Sequence, residues 1–469
     1  MNFVDRIVGA FSPAAGIRRV FERKQYEAVQ RSMNAAKPAR STNWKPGTGS
    51  INSEINSGLH IVRNRSRDLI LNNGYLKKAV KTLVSNRVGT GIIPKWEDPK
   101  VKALWDYWSK YEADYDEVLS LNARLAQLCR GEIESGEILL RFHVLDDPKL
   151  KVPLQVQVLE SDHLDSFKTG RNEMGFAIAG VQFNDRGKRI GYWLFKTHPG
   201  EYTIPRDMVS EFVSAEFVLH FFDAMGRPNQ VRGFPALSCA IWKVNDLDEY
   251  QEAHAVRKKI EACFAVFVTS QQNDMRIGVP GVAGQSDPGL EDIGPGMVHY
   301  LRPGEGVDFS SPTPSDGYEE TTRTELRAIA AGSEVSYEQM TGDYSQVNFT
   351  SGRMGKLEFR QQTEQYQELL FLPMVMTRIV RMFVKVAYLR GAITKQEMPL
   401  SFTCPRVPLL DVQKEALGYK TLQDQRVLSR HQVQRELGYD PEEMDAEIRG
   451  DDLAPQLQPQ TKAATDEET

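Results

Sequence analysis

The stretch PALSCAIWKVNDLDEYQEAHAVRKKIEACF, residues 235–264, decides the architecture. Leu237, Ile241, Val244, Leu247, Tyr250 and His254 fall on one helical stripe, with Asp246, Asp248, Glu249 and Glu252 opposite, so the spacing predicts a single amphipathic helix. At about 1.5 Å per residue it would run roughly 45 Å, longer than most domains need. Residues 265–317 then turn to strand patterns and Gly/Pro-rich loops such as GVPGVAGQSDPG. A second helical pattern, YEETTRTELRAIAAG, starts at Tyr318 and can run back beside the first. The expected layout is a helix, a small β insertion and a returning helix: a stalk carrying a tip.

Upstream, residues 59–87 have helical apolar spacing with an Asn-Asn-Gly break at Asn72 to Gly74, and residues 101–130 are again helical. Strand signals follow in EILLRFHVL (137–145), PLQVQVLE (153–160), FAIAGVQF (176–183) and GYWLFKTH (191–198). They predict an α+β segment on an antiparallel sheet. Downstream, GSEVSYEQMTGDYSQVNFTSGR (332–353) is loop-like, and a long helical region opens near Arg353 that Pro373 must kink or divide. A last amphipathic segment is expected over Leu422 to Leu437. The apolar run Leu369 to Leu389 holds Pro373, Arg378, Arg381 and Lys385, so it reads as a buried or intersubunit helix rather than a membrane span.

With 469 residues, 41% of them hydrophobic and 26% charged, the chain can bury the cores of about three domains. Its net charge of −5 is the wrong sign for a protein that coats nucleic acid. The charge is uneven: residues 1–90 hold 16 Lys or Arg against 5 Asp or Glu, or +11, leaving 42 against 58, or −16, for the rest. Residues 1–58 therefore read as a basic arm ending in a polar Gly/Ser/Pro linker over 36–58. Residues 451–469 read as an acidic, disordered tail. Cys129, Cys239, Cys263 and Cys404 form no CxxC pair, and Asp5 and Arg6 interrupt the first apolar run, so a reducing cytoplasm without a secretion signal is expected.

Several reactions need spacings that are missing. There is no GxxxxGK[ST], HExxH or GxSxG, and the eight histidines form no metal-ligand pair; no cofactor or metal is called for. The sharpest acidic set is Glu132, Glu134 and Glu137 with Glu160 and Asp162, which a divalent-ion nuclease using Glu132, Glu160 and Asp162 would require. The plainer reading is solvated charge around Gly136. Arg378, Arg381 and Lys385, at i, i+3 and i+7, share a helix face that can meet phosphates or a neighbour's carboxylates, or simply be solvated. Arg63, Arg65 and Arg67 alternate, so the three cannot share one helical face; intersubunit pairing is expected of them above DNA contact.

Taken in order, several segments resemble the portal proteins of lambda-like tailed bacteriophages: RNRSRDLILNNGYLKKAVKTLVSNRVGTGI (63–92), ESGEILLRF (134–142), VPLQVQVLESDHLD (152–165), GVQFNDRGKRIGYWLF (180–195), VLHFFDAMGRPNQVRGFPALS (218–238), GMVHYLRPGEGVDF (296–309) and LRAIAAGSEVSYEQMTGDYSQVNFTSGR (326–353). The resemblance covers about residues 60–390 and rests on order and spacing. It implies a portal-type fold: an α+β wing over 59–236, stem helices over 237–264 and 318–335, a clip over 265–317, a tunnel loop over 336–352, and wing and crown helices over 353–450. It also implies a dodecameric ring at the procapsid vertex through which double-stranded DNA is packaged and ejected. The ring itself would not be an ATPase; a separate terminase large subunit would dock on it, with head-tail adaptor, scaffold and major capsid proteins as further partners, in the virion and, during assembly, the host cytoplasm. Tyr344, Gln346, Asn348 and Arg353 would lie at the channel constriction, and the loop 281–296 on the clip's docking surface.

Overall fold

The computed structural model describes residues 49–201, 209–262, 266–270, 305–309, 317–405 and 411–451, in two units, Met1–Glu54 and Ile55–Thr469. Most of the basic arm, the clip loop 281–296 and all of the acidic tail after Asp451 lie outside the described residues.

Helix α1 (Ile51–Asn72) starts inside the stretch expected to be linker, because Ile55, Leu59 and Ile70 put a buried apolar stripe on it. The Asn-Asn-Gly break is where it was expected. Asn73 is extended, and its side-chain oxygen accepts from the Tyr75 and Leu76 N–H groups at 3.0 and 3.1 Å, capping α2 (Gly74–Arg87). After the short β1 (Ile93–Lys95), the segment expected as one helical stretch is two helices, α3 (Pro99–Tyr111) and α4 (Leu121–Ser135). Asp98 caps the first of them and Ser120 the second.

Gly136, left-handed at φ 83°, ends α4 and turns the chain directly into β2 (Glu137–Val144). β2 is the centre of a three-stranded antiparallel sheet, between β3 (Leu154–Glu160) and β9 (Val218–Phe222). A second antiparallel sheet is a meander of β4 (Gly170–Asn172), β5 (Gly175–Ile178), β6 (Val181–Phe183), β7 (Arg189–Phe195) and β8 (Ser210–Ser214). The α+β expectation holds for this part of the chain. FAIAGVQF, however, is a hairpin and not one strand, since Ala179 and Gly180 at φ 46° and 87° reverse the chain in its middle.

The decisive helix is shorter than its pattern. A 3₁₀ turn at Ala236–Cys239 leads into α5 (Ile241–Ala262), whose 22 residues span about 33 Å. Leu237, Val244 and Leu247 are buried, whereas His254 is half-buried and stacks on Tyr318, 4.0 Å between ring centres. β10 (Val266–Ser270) and β11 (Glu305–Phe309) pair antiparallel, and α6 (Tyr318–Gly332) returns beside α5.

Residues 336–352 are not all loop. Ser336 and Gln339 form a reciprocal cap on a short α7 (Tyr337–Thr341), and α8 (Phe349–Tyr366) begins before Arg353. Pro373 neither divides the following helix nor leaves a gap in it. Residues Gln367–Met376 widen into a π-helix before α9 (Thr377–Leu389), and the N–H and hydroxyl of Thr377 both donate to the Leu372 carbonyl. β12 (Ser401–Thr403) pairs with β1. The segment expected as one helix over 422–437 is split between α10 (Val412–Asp424) and α11 (Arg430–Glu436), with Arg426 at φ 57° between them, and α12 (Pro441–Gly450) follows.

The main core joins these parts: Trp105 and Trp108 of α3 meet Phe383 of α9, both with ring centres 5.0 Å apart. The run 369–389 is thus a core segment, with Phe371, Val375, Ile379, Val380 and Phe383 fully buried. Among the described residues no helix is long and apolar enough to cross a membrane.

Candidate functional site

Glu137 is the first residue of β2, whose first four residues are all buried, and its side chain is fully enclosed. Four groups from three segments of the chain satisfy it. Arg63 of α1 donates at 2.7 Å, Arg232 donates through Nε at 2.9 Å, His220 of β9 lies at 2.9 Å, and the Gly233 N–H donates at 3.0 Å. Arg232 also donates to the Ala179 carbonyl at 2.7 Å, tying in the β5–β6 turn. These neighbours hold the Glu137 carboxyl well below its ordinary range although burial pushes the other way. Burial pushes His220 down to about 4, so the ring is neutral near pH 7. Arg189 lies 3.4 Å from its Nδ1 and can only donate, which assigns the proton to Nε2, facing Glu137.

Arg63 and Arg67, one turn apart on α1, share a face and point into the chain, contrary to the expectation of intersubunit pairing. Arg67 donates to Asp162 at 2.6 Å and lies 3.0 Å from Glu160; Arg63 reaches Asp162 at 3.4 Å. Arg65 instead covers the exposed Trp242 ring at 4.9 Å. Among the described residues, Glu160, Asp162 and His198 are grouped closely enough to share a cation, but the Arg67 guanidinium already occupies the space between the two carboxylates.

Glu132 does not join them. It lies on α4 in a different place, buried, accepting from the Tyr366 hydroxyl at 3.2 Å and 3.9 Å from Arg87. Burial pushes Glu132 up to about 7. Arg87 connects four elements here: it is bound to Glu334 at 2.7 Å, lies 4.0 Å over the Tyr366 ring, and its own carbonyl accepts from Gln367 at 2.8 Å. A pocket of about 470 Å³ opens on this junction, lined by Arg87, Glu132, Asp223, Glu334 and Tyr366 among others. The carboxylates that a nuclease would need are therefore in two places, Glu160 and Asp162 around the Arg67 guanidinium and Glu132 apart from them beside Arg87. Nor are Glu132 and Glu137 solvated charges around Gly136, as the plainer reading had them; both are buried, and only Glu134 makes a surface pair, with Arg130.

Tyr344, Gln346 and Asn348 lie in or at the end of the loop 342–348, and Arg353 is on the second turn of α8; all four are exposed. Asn348 has a structural task, accepting from the Ser351 N–H at 2.8 Å as the cap of α8. Arg378, Arg381 and Lys385 do share one face of α9, where Arg378 donates to the Ala215 carbonyl at 2.7 Å and Lys385 pairs with Glu216.

Sequence reasoning missed the Glu137 cluster. The available signal was an acidic residue opening an otherwise apolar strand, EILLRF, a placement that demands burial and hence a cation.

A carboxylate whose acceptor sites are filled by two arginines, an imidazole and a backbone N–H has none left for a metal or substrate. Such a centre is structural: its charges lock α1, β2, β9 and the segment at Arg232 together within the α+β fold. The model described as "Phage portal protein, lambda family" matches residues 37–367, and the chain belongs to that family. It is 25% identical over 362 residues to the probable portal protein of Halomonas phage phiHAP-1, covering 71% of this chain and 68% of that one. It is 25% identical to the portal protein of Escherichia phage N15 and 22% identical to portal protein B of Escherichia phage lambda, each match covering 66% of both chains. The chain thus spans about two thirds of the length of these relatives. Among solved structures, it resembles a chain from the neck of a native gene transfer agent (GTA) particle computed with C12 symmetry, at 17% identity and TM-score 0.47, covering 88% of this chain and 99% of that one. A chain from the virion of the native particle gives 15% identity and TM-score 0.46, covering 87% and 97%.

Proposed function

We propose that twelve copies of this chain form a ring at the unique capsid vertex, a passive conduit through which double-stranded DNA is packaged and later ejected. The family membership over residues 37–367 carries the reading. In it, α1 to β9 form the wing, α5 and α6 the stem, the insertion between them the clip, and the helices after Arg353 the returning wing and crown. The loop 342–348, with Tyr344, Gln346, Asn348 and Arg353, faces the channel.

Physical chemistry supports a passive role. A conduit must hold duplex laterally and still let it slide, and each neutralised phosphate adds a salt-sensitive grip to be broken at every step. Tyr344, Gln346 and Asn348 offer neutral contacts instead of a basic lining. With no P-loop in the sequence, the ATPase is a separate terminase large subunit docked on the clip, which later meets the head-tail adaptor proteins. Scaffold and major capsid proteins are the remaining partners, in the host cytoplasm during assembly and then in the virion. Electron microscopy of the purified chain tests this: rings with a central hole and about twelve subunits are expected, and a monomer under every assembly condition would defeat the reading.

A further inference from the structure

The exposed side of α9 forms one wall of a recess of about 280 Å³, lined by Lys188, Arg189, Ala215, Glu216, Arg378, Arg381, Met382 and Lys385. Five cations thus meet one carboxylate. Three of the five are engaged: Lys385 pairs with Glu216, Arg378 donates to the Ala215 and Val218 carbonyls at 2.7 and 3.3 Å, and Arg189 donates to the Tyr192 hydroxyl at 3.3 Å. Among the described residues, the side chains of Lys188 and Arg381 make no hydrogen bond or ion pair, so two full charges border the recess without a partner. Arg378 uses its guanidinium on backbone carbonyls of the β8–β9 turn, which fixes the wall rigidly between sheet and helix.

We propose that this recess receives carboxylate side chains of a second copy of this chain. The charge balance favours that occupant. The chain carries 58 Lys or Arg against 63 Asp or Glu, a net −5, so copies placed side by side share an acidic excess, and acidic surface of one is favoured at a local positive site of the next. A duplex is a rod too wide to enter so small a recess, whereas a single carboxylate can enter and be held by the Arg381 fork. The inference rests on the ring reading and deepens it by naming an electrostatic contact between neighbours.

The test mixes ¹⁴N- and ¹⁵N-labelled full-length chains, assembles them, and treats the assembly with a carbodiimide that joins Lys to Asp or Glu. Peptides linking Lys188 of one isotope to an acidic peptide of the other are expected. The Lys188→Gln/Arg381→Gln variant is expected to melt where the wild type does, because neither side chain has a partner within the chain, and to need at least tenfold more protein for half-assembly. Rings in which Lys188 links only within its own isotope, or a variant that assembles like the wild type across a salt titration, would overturn the inference and leave the ring reading standing. Reduced binding of a duplex oligonucleotide by the variant with unchanged assembly would overturn it in favour of DNA. A wild-type chain that forms no ring defeats both readings.

Discussion

Arg232 grips Glu137 from 95 positions away, its Nε donating at 2.9 Å to both carboxylate oxygens, and the two residues are buried together with Arg63 and His220. Every partner of Glu137 comes from a segment that carries the resemblance to lambda-type portals, so collinear motifs that look unrelated in one dimension meet at one point. A buried pair of this kind adds little stability over an apolar equivalent, but removing one member leaves uncompensated charge.

Glu137→Gln is therefore expected to cost about 3–5 kcal/mol, read as a lower urea midpoint for loss of the α+β core. Acid discriminates further. Because the folded-state pKa lies below the usual 4.5, the contribution is present above that pH and is lost as pH falls through the folded value; wild type should lose stability on acidification in that window and the variant should not.

Gly136 and Gly233 make the cluster possible by their lack of side chains. A Cβ on Gly233 would lie 2.0 Å from the Gly136 carbonyl oxygen, and one on Gly136 would lie 2.1 Å from the Phe234 carbonyl carbon. Alanine at either position is expected to abolish soluble expression or lower the melting temperature sharply, since the obstructing atoms are backbone. Gly187→Ala is the control: φ is 75° but no atom lies within 4 Å, so only the left-handed strain of about 1–2 kcal/mol remains.

Glu132 works in the opposite sense to Glu137. Its folded-state pKa of about 7 lies above the ordinary 4.5, so its contribution is full below pH 4.5 and is lost as pH rises through 7. Glu132→Gln removes that loss while keeping an acceptor for Tyr366. The variant's unfolding free energy should match wild type at pH 4.5 and exceed it increasingly up to pH 8, by on the order of 3 kcal/mol, read from urea midpoints at each pH.

Arg67 is expected to be what keeps Glu160 and Asp162 from binding metal. Added Mn²⁺ should leave the wild-type melting temperature unchanged and raise that of Arg67→Ala, and neither protein should cleave DNA with the ion present. A metal-dependent cut by wild type, lost in Glu160→Ala, would reinstate the nuclease.

The helix, insertion and return around α5 and α6 were legible because amphipathic spacing is local and survives without tertiary context. So were the four main strand regions and the Asn-Asn-Gly cap, which depends on side chains two and three residues away. Their ends were less legible. The stripe over 235–264 overstates α5, since Pro235 to Cys239 satisfy the same spacing while forming a 3₁₀ turn, and FAIAGVQF hides a reversal that an alanine at positive φ does not advertise.

By itself the sequence determined the α+β class, the order of the elements, the missing nucleotide and metal motifs and the uneven charge, because these follow from neighbours along the chain. Only the tertiary structure decided which charges are buried. Glu132, Glu137, Glu160 and Asp162 look alike in one dimension, but Arg63 and Arg232 neutralise one, Arg67 two, and the last is left half-paired beside Arg87. The reason is that desolvation and ion pairing depend on distances of about 3–4 Å between residues separated by as many as 247 positions, as Arg87 and Glu334 are, and no local pattern encodes them.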